Sequence, residues 1–203
     1  VAVSEDPRVN PAKYAQYGPA RACAILEKAR RELGLEVPAY SPELAARLTH
    51  PDEIEVLRRL DDFPDLVLEA AELGVGDTAF DLYAGTGAIS LLLARRCRWV
   101  YGIELAQAAV DDAGRNAAAN GIDNCSFLAG EVRFVLPSLI AQGVSAEVVV
   151  ADPPRAGFHP KALSALVRLG PSRIVYVSCN PATLARDLAE LVRGGYRLGW
   201  VQP

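Results

Sequence analysis

From Gly74 onward, short β-rich runs alternate with segments of helical periodicity, and no other feature constrains the fold of this chain as strongly. The strand-like runs are Thr78–Tyr83, Trp99–Glu104, Cys125–Ala129, Glu147–Ala151 and Arg173–Val177. Helical segments follow them: Ala88 to about Arg96, about Ala106 to Asn120, near Val132–Gln142, Pro160 to Leu169, and Pro181 to Arg193. A βαβ series of this kind predicts an α/β fold with a parallel, doubly wound sheet. Ligands of such sheets bind in the crevice outside the carboxyl ends of the strands.

Residues 1–73 read differently. Asn10–Pro11 looks like a cap with proline at the first helical position, and Tyr14, Tyr17, Ala22, Ile25, Leu26 and Ala29 recur at helical spacing. Gly18–Pro19 should kink that helix. Ser41 caps a short helix, His50–Pro51 opens another through Ile54, Leu57 and Leu60, and Pro64 predicts a boundary before Leu66–Leu73. The expected organisation is a helical segment, 1–73, and an α/β domain, 74–203.

Hydrophobic residues make up 51% of the 203, ample for a core, but no apolar run reaches the length of about 18 that suggests a membrane span. Nothing at the start resembles a signal peptide, so a cytoplasmic location is expected. The cysteines, Cys23, Cys97, Cys125 and Cys179, contain no CxxC pair, which argues against a zinc site. A structural disulfide does not suit a cytoplasmic chain. The net charge of −4 is unlike that of a generic nucleic-acid binder. It divides into −5 over residues 1–73 and +1 over 74–203, so the second part is the better candidate for a polyanionic partner. The lack of methionine implies a start that is not a native initiation site, or a chain cut or engineered.

Three strand ends carry chemistry. Asp81–Gly87 (DLYAGTG) follows the first strand and opens a helix. Gly85 and Gly87 let backbone approach a ligand closely, and the helix amino terminus offers free N–H groups. Glu104 ends the next strand about 20 residues on, where a carboxylate can accept both hydroxyls of a ribose. The spacing is not that of a dinucleotide fingerprint, and a nucleoside without a pyrophosphate suits it better. The bland alternative is a tight strand–helix turn beside a surface acid. Asp152–Arg155 (DPPR) ends the fourth strand; its prolines force a rigid turn that could hold Asp152 against a flat ring, or serve only as a stiff loop. Cys179 ends the fifth strand just before a helix beginning at Pro181. A lone cysteine is more often a small buried hydrophobe, but a helix amino terminus favours a thiolate. Cys97 and Cys125 lack that setting and read as core or surface fillers, and Cys23 reads as core. His50 and His159 each precede a proline and read as turn residues.

Residues from about 74 to 203 resemble the catalytic domain of the RNA (uracil-5-)-methyltransferases, with a Rossmann-like sheet. The matching stretches are DLYAGTG, Tyr101–Glu104 (YGIE), Asn116–Asn124 (NAAANGIDN), Asp152–Gly157 (DPPRAG) and, most specifically, Ile174–Leu188 (IVYVSCNPATLARDL). The resemblance implies methylation of uracil carbon 5 in tRNA or rRNA with S-adenosylmethionine. It assigns Cys179 as nucleophile, Tyr83, Glu104 and Asp152 to the cofactor site, and Gly85 and Gly87 to the loop beneath the cofactor. Ala84 stands where the family usually has Cys. The family's general base is a Glu beyond a QPV-type strand, whereas this sequence runs to Gln202–Pro203, so slow release of any covalent adduct is expected. Asp65–Leu73 lacks the Gln of the family's FFQ-type motif, so weak cofactor binding is expected.

Residues from about 6 to 72 resemble the helical region leading into the anticodon-binding domain of arginyl-tRNA synthetases. The match runs through Asn10–Arg21 (NPAKYAQYGPAR), Leu48–Ile54 (LTHPDEI) and Leu60–Pro64 (LDDFP), with Pro19 in place of the usual His. A non-catalytic tRNA-binding module, or an engineered chimera on a methyltransferase scaffold, is the competing reading. Methyltransferase sheets of this class normally insert an antiparallel strand near their end, and here it would follow Pro203. Tyr196–Val201 alternates like a strand and must pair with the fifth strand, stay loose or borrow a partner. A frayed end or a homodimer through this edge is therefore expected, as is cover of one face or edge of the sheet by helices of residues 1–73.

Overall fold

The computed structural model describes residues 51–201. The synthetase-like match up to residue 50 lies outside the described residues. The chain divides into two compact units, Val1–Phe63 and Pro64–Pro203. Helix α1 (Pro51–Ala71) runs through the division. Among the described residues it runs unbroken from Pro51 to Ala71, and Pro64 does not end it. The expected boundary there is not a break in secondary structure. Beyond the proline, Val67 and Ala71 continue the helical stripe and bury completely or nearly so against the sheet, which offsets the backbone bond that proline removes.

The second unit is a parallel sheet of strands β1 (Thr78–Leu82), β2 (Trp99–Glu104), β3 (Cys125–Ala129), β4 (Val148–Ala151) and β5 (Arg173–Tyr176). Their order is β3-β2-β1-β4-β5, and every pairing is parallel. Helices α2 (Ala88–Ala94), α3 (Gln107–Ala119), α4 (Val132–Ala141), α5 (Pro160–Leu169) and α6 (Pro181–Arg193) make the connections and the final element. The central strands β1 and β4 are buried at every position, so they read as continuous runs, TAFDL and VVVA.

Side chains of β1 still sort by face. Phe80 and Leu82 join Ile103, Val149 and residues of α4, α5 and α6 in one core. Ala79 joins Val100, Val148, Val150, Leu93 of α2, and Val67 and Ala71 of α1 in the other. Each fully buried Phe, Leu or Ile in these layers contributes about 1.5–3 kcal/mol. The chain winds outward from β1 to β3 and then returns to place β4 on the other side of β1. That reversal opens a crevice at the carboxyl ends of β1 and β4.

Beyond α6, Tyr196 is tied back by its N–H to Leu191 O (3.1 Å) and by its hydroxyl to Pro171 O (3.0 Å). From Tyr196 to Val201 no strand forms, and β5 is an edge among the described residues. Of the three outcomes expected for this stretch, pairing with β5 does not occur, and Leu198, Trp200 and Val201 are exposed. No described helix is long and apolar enough to cross a membrane.

Candidate active site

The turn after β1 is built from left-handed backbone. Tyr83, Gly85 and Gly87 have φ of 70°, 55° and 86°. For Tyr83, which carries a Cβ, this conformation is strained. It is held by N–H groups of Tyr83 and Ala84 that both donate to Ile103 O (2.9 and 3.0 Å), and by the Tyr83 ring, edge-on to Phe158 at 5.6 Å. A Cβ on Gly87 would lie 3.0 Å from Ala113 Cβ and 3.1 Å from Phe127 Cζ, so packing and conformation both demand glycine. A Cβ on Gly85 would meet nothing within 4 Å. The backbone there faces open space, as the floor of a ligand site must.

Glu104 stands at the end of β2 with both oxygens fixed. Oε2 accepts the Gly85 N–H (3.0 Å) and Oε1 accepts the Ala106 N–H (2.9 Å). Each oxygen keeps a second lone pair, so the half-buried carboxylate is oriented and can still accept a vicinal diol. Asp81, at the end of β1, is fully buried. Its Oδ2 accepts the Ser90 hydroxyl (2.6 Å), and its Oδ1 has no partner. Burial, with the charges of Asp152 and Glu104 adding to it, pushes this carboxyl up to about 6 against the opposing Ser90 hydrogen bonds. Asp152 is exposed, yet protein crowds its carboxyl enough that desolvation raises it as well. Among the described residues no three His, Cys, Asp or Glu side chains are grouped to hold a metal ion. Three carboxylates at neighbouring strand ends, one with an unpartnered buried oxygen, instead suit an organic cation.

Cys179 is exposed, on the half-buried segment between β5 and α6. The segment is shaped locally: Val177 N–H donates to Ala151 O (2.8 Å), the Ser178 hydroxyl brackets Asn180, and Asn180 Oδ1 caps α6 through Ala182 N–H (3.1 Å). It is also tied to the loop that carries Asp152. Asn180 Nδ2 and the Thr183 hydroxyl both donate to Arg155 O (3.1 Å each), and Arg186 Nη2 donates to Ala156 O (2.9 Å).

Beneath these contacts sits Asp187, 1% exposed. It accepts the Phe158 N–H (2.7 Å), the Tyr176 hydroxyl (2.8 Å), and Nε and Nη2 of Arg186 (2.8 and 2.7 Å). Gly157, at φ 75°, lies so close that a Cβ would approach Asp187 Oδ2 to 2.5 Å. The Tyr83, Phe158 and Tyr176 rings meet edge to face, at 5.6 and 5.4 Å, and join the ends of β1 and β5 through the loop after β4. Cys97 and Cys125 differ from Cys179 in setting. Both thiols are pushed up to about 11, chiefly by burial, and their sulfurs lie near the carbonyls of Trp99 and Ser90.

The residues singled out from sequence, Tyr83, Gly85, Gly87, Glu104, Asp152 and Cys179, thus fall on one rim of the sheet. Ser90 and the Asp187 group escaped sequence reasoning. The available signal was an acid, Asp187, interrupting the apolar stripe Leu184, Leu188 and Leu191 on α6.

Comparison with known proteins gives the family. The chain is 45% identical over 154 residues to an uncharacterised RNA methyltransferase of Bacillus cereus, covering 76% of this chain and 32% of that one. It is 49% identical over 151 residues to another from Gloeobacter violaceus, covering 74% and 31%. It therefore spans about a third of the length of the curated relatives it matches. Among solved structures, Pyrococcus abyssi tRNA (uracil-54, C5)-methyltransferase in complex with S-adenosyl-L-homocysteine superposes with a TM-score of 0.52 at 37% identity, covering 62% of this chain and 30% of that one. A precorrin 8w decarboxylase of Methanobacterium thermoautotrophicum, TM-score 0.60 at 23% identity over 67% of this chain and 72% of its own, shares the fold. The family model described as tRNA (uracil-5-)-methyltransferase matches residues 65–197, and the chain belongs to that family.

Proposed function

We propose that this chain methylates carbon 5 of a uracil in RNA, using S-adenosylmethionine and Cys179 as nucleophile. The observation that carries the reading is the tethering of an exposed thiol, through Arg155 and Ala156, to the same rim as an oriented ribose-type acceptor, Glu104. The pairing of a nucleoside site with a thiol suits a nucleoside cofactor beside a base to be attacked. It is supported by the relatives named RNA methyltransferases and by the solved neighbour with S-adenosyl-L-homocysteine.

The donor set fits the cofactor. Glu104 would hold the ribose hydroxyls, with Gly85 as floor and Tyr83 as a neighbouring wall. Asp81 and Asp152 would face the cationic end, where the unpartnered Asp81 Oδ1 lacks a positive partner. When bound, S-adenosylmethionine supplies an electrophilic methyl group on a sulfonium. Carbon 5 of uracil is a poor nucleophile, and the Cys179 thiolate corrects this by bonding to carbon 6. The π pair between carbons 5 and 6 moves toward carbon 5 as an enolate, which can accept the methyl group. A base must then take the proton from carbon 5, and the pair left behind restores the double bond and expels the thiolate.

The test is transfer of labelled methyl from S-adenosylmethionine to a uridine-containing RNA, read as 5-methyluridine in hydrolysed RNA and as labelled RNA covalently held by protein. Both signals should vanish in Cys179→Ala. Glu104→Ala should weaken S-adenosylhomocysteine binding in calorimetry by about tenfold to a hundredfold, the loss of a charge-assisted pair of hydrogen bonds. Label transfer that survives Cys179→Ala refutes the nucleophile, and equal binding by Glu104→Ala refutes the ribose assignment.

A further inference from the structure

The surface formed by α4 and α5 has a charge unlike the rest of the chain. These two helices carry Arg133, Lys161 and Arg168 and no acidic residue, in a chain of net charge −4. Between them lies a groove of about 440 Å³ lined by Arg133, Pro137, Pro160, Lys161, Ser164 and Arg168. Lys161, Ser164 and Arg168 are exposed, and among the described residues neither cation has a partner for its side chain. Arg133 is held differently. Its Nε lies 2.6 Å from Glu131 Oε2, and its guanidinium lies 4.8 Å from the centre of the Phe134 ring. The ring itself is 58% exposed. An open aromatic face backed by a cation is a stacking platform for an unpaired base.

The groove also starts in the right place. α4 begins just after β3 ends, and α5 begins on the loop that leaves Asp152, so both amino ends lie at the rim that carries Glu104, Asp152 and Cys179. Arg133 and Lys161 are in the first turns, and Arg168 is two turns further along α5. At 1.5 Å per residue, Lys161 and Arg168 are separated by about 10 Å along the helix. A nucleic-acid backbone running along that length can set one phosphate against each of the two cations. The core of a protein–protein interface would be poor in charge, whereas this groove presents cations and a hydroxyl, with the exposed Phe134 ring beside its Arg133.

We infer that the α4–α5 groove is a docking track for the phosphate backbone of the RNA flanking the target uridine, with Lys161 and Arg168 on phosphates and Phe134 under an unpaired base. The inference rests on the reading of the chain as an RNA-modifying enzyme. The experiment measures the affinity of the 203-residue chain for a fluorescent, uridine-containing RNA hairpin from about 50 to 200 mM salt. The Lys161→Gln/Arg168→Gln double variant should bind about tenfold more weakly and show a log–log salt slope shallower by about 1.5, the share of two phosphate contacts. Phe134→Ala should weaken binding to the hairpin loop with the slope unchanged. S-adenosylhomocysteine affinity and thermal stability should be the same in both variants and parent.

Equal affinity and slope in the parent and the double variant overturn the inference. So does an RNA affinity of the parent that does not depend on salt. Self-association of the parent that the double variant abolishes, with RNA binding untouched, assigns the groove to a second copy and also overturns it. If the groove variants leave RNA binding unchanged while Cys179 still forms its RNA adduct, the groove fails and the enzymatic reading stands. RNA binding that depends on these residues without any adduct fails the enzymatic reading and not the groove.

Discussion

Replacing Asp81 by Asn asks whether the crevice holds unfavourable negative charge in readiness for a cationic ligand. Asp81 is 1% exposed, Ser90 satisfies one of its oxygens, and the other has no partner. Burial first, then Asp152 and Glu104, lift its carboxyl from 3.8 to about 6. The folded chain therefore keeps a proton that the unfolded chain has already released between those two values. Stability must fall as pH rises through that window and level off above it. A displacement of about 2 on the pH scale corresponds to about 3 kcal/mol. Asn carries no charge at any pH and can still accept from Ser90. Asp81→Asn should match the parent below about pH 4 and exceed it by up to about 3 kcal/mol above pH 6. Urea unfolding from about pH 4 to pH 8 measures the difference. In calorimetry the order reverses: the parent should bind S-adenosylmethionine more tightly as pH rises through about 6, and the variant should bind weakly with no such dependence. A stability difference that stays constant across the range, or a variant that binds the cofactor as the parent does, would refute the argument.

Asp187→Ala strands the Tyr176 hydroxyl and the Phe158 N–H and removes the carboxylate that Arg186 pairs with, at a cost of about 3 kcal/mol in denaturant titration. Cys179 adduct formation should slow on the order of a hundredfold through misplacement. If adduct formation is unchanged in chain that remains folded, Asp187 does not position the thiol. Gly87→Ala should lose about 2 kcal/mol from its left-handed φ and its 3.0 Å contact. Gly85→Ala should lose only about 1 kcal/mol but most of its cofactor affinity, because the added methyl enters open crevice. The reverse ranking of melting temperatures would contradict the packing described. Iodoacetamide should label Cys179 in the folded chain and reach Cys97 and Cys125 only on unfolding, since burial pushes those two thiols up to about 11. Peptide mapping that finds Cys97 or Cys125 modified first would count against the burial argument.

The parts of the fold legible in the sequence are those that depend on local pattern. Trp99–Glu104, Cys125–Ala129, Pro160–Leu169 and Pro181–Arg193 form with the bounds their periodicity and caps predict. Thr78–Tyr83 loses one residue because Tyr83 turns left-handed, and Arg173–Val177 loses Val177 to the loop before Cys179. The strand order β3-β2-β1-β4-β5 is a tertiary choice that alternation alone does not encode. Pro64 misleads because packing of Val67 and Ala71 outweighs a local helix-breaking preference. At the site, Gly85, Gly87 and Glu104 are legible because a turn and a strand end fix their spacing. The Asp187 group is not, because its partners Tyr176 and Phe158 lie 11 and 29 residues away in sequence. Only the fold brings them together.

The central claim is a covalent bond between the Cys179 sulfur and carbon 6 of a uracil. It is tested most directly by intact-mass spectrometry of the chain with a 5-fluorouridine-containing RNA and S-adenosylmethionine. Fluorine cannot leave carbon 5 as a proton does, so a methylated adduct should accumulate. The account predicts a species of protein plus RNA plus one methyl group, mapping to the peptide that contains Cys179 and absent in Cys179→Ala. An adduct that persists in Cys179→Ala, or a folded, cofactor-bound chain that forms no adduct with this RNA, would contradict it.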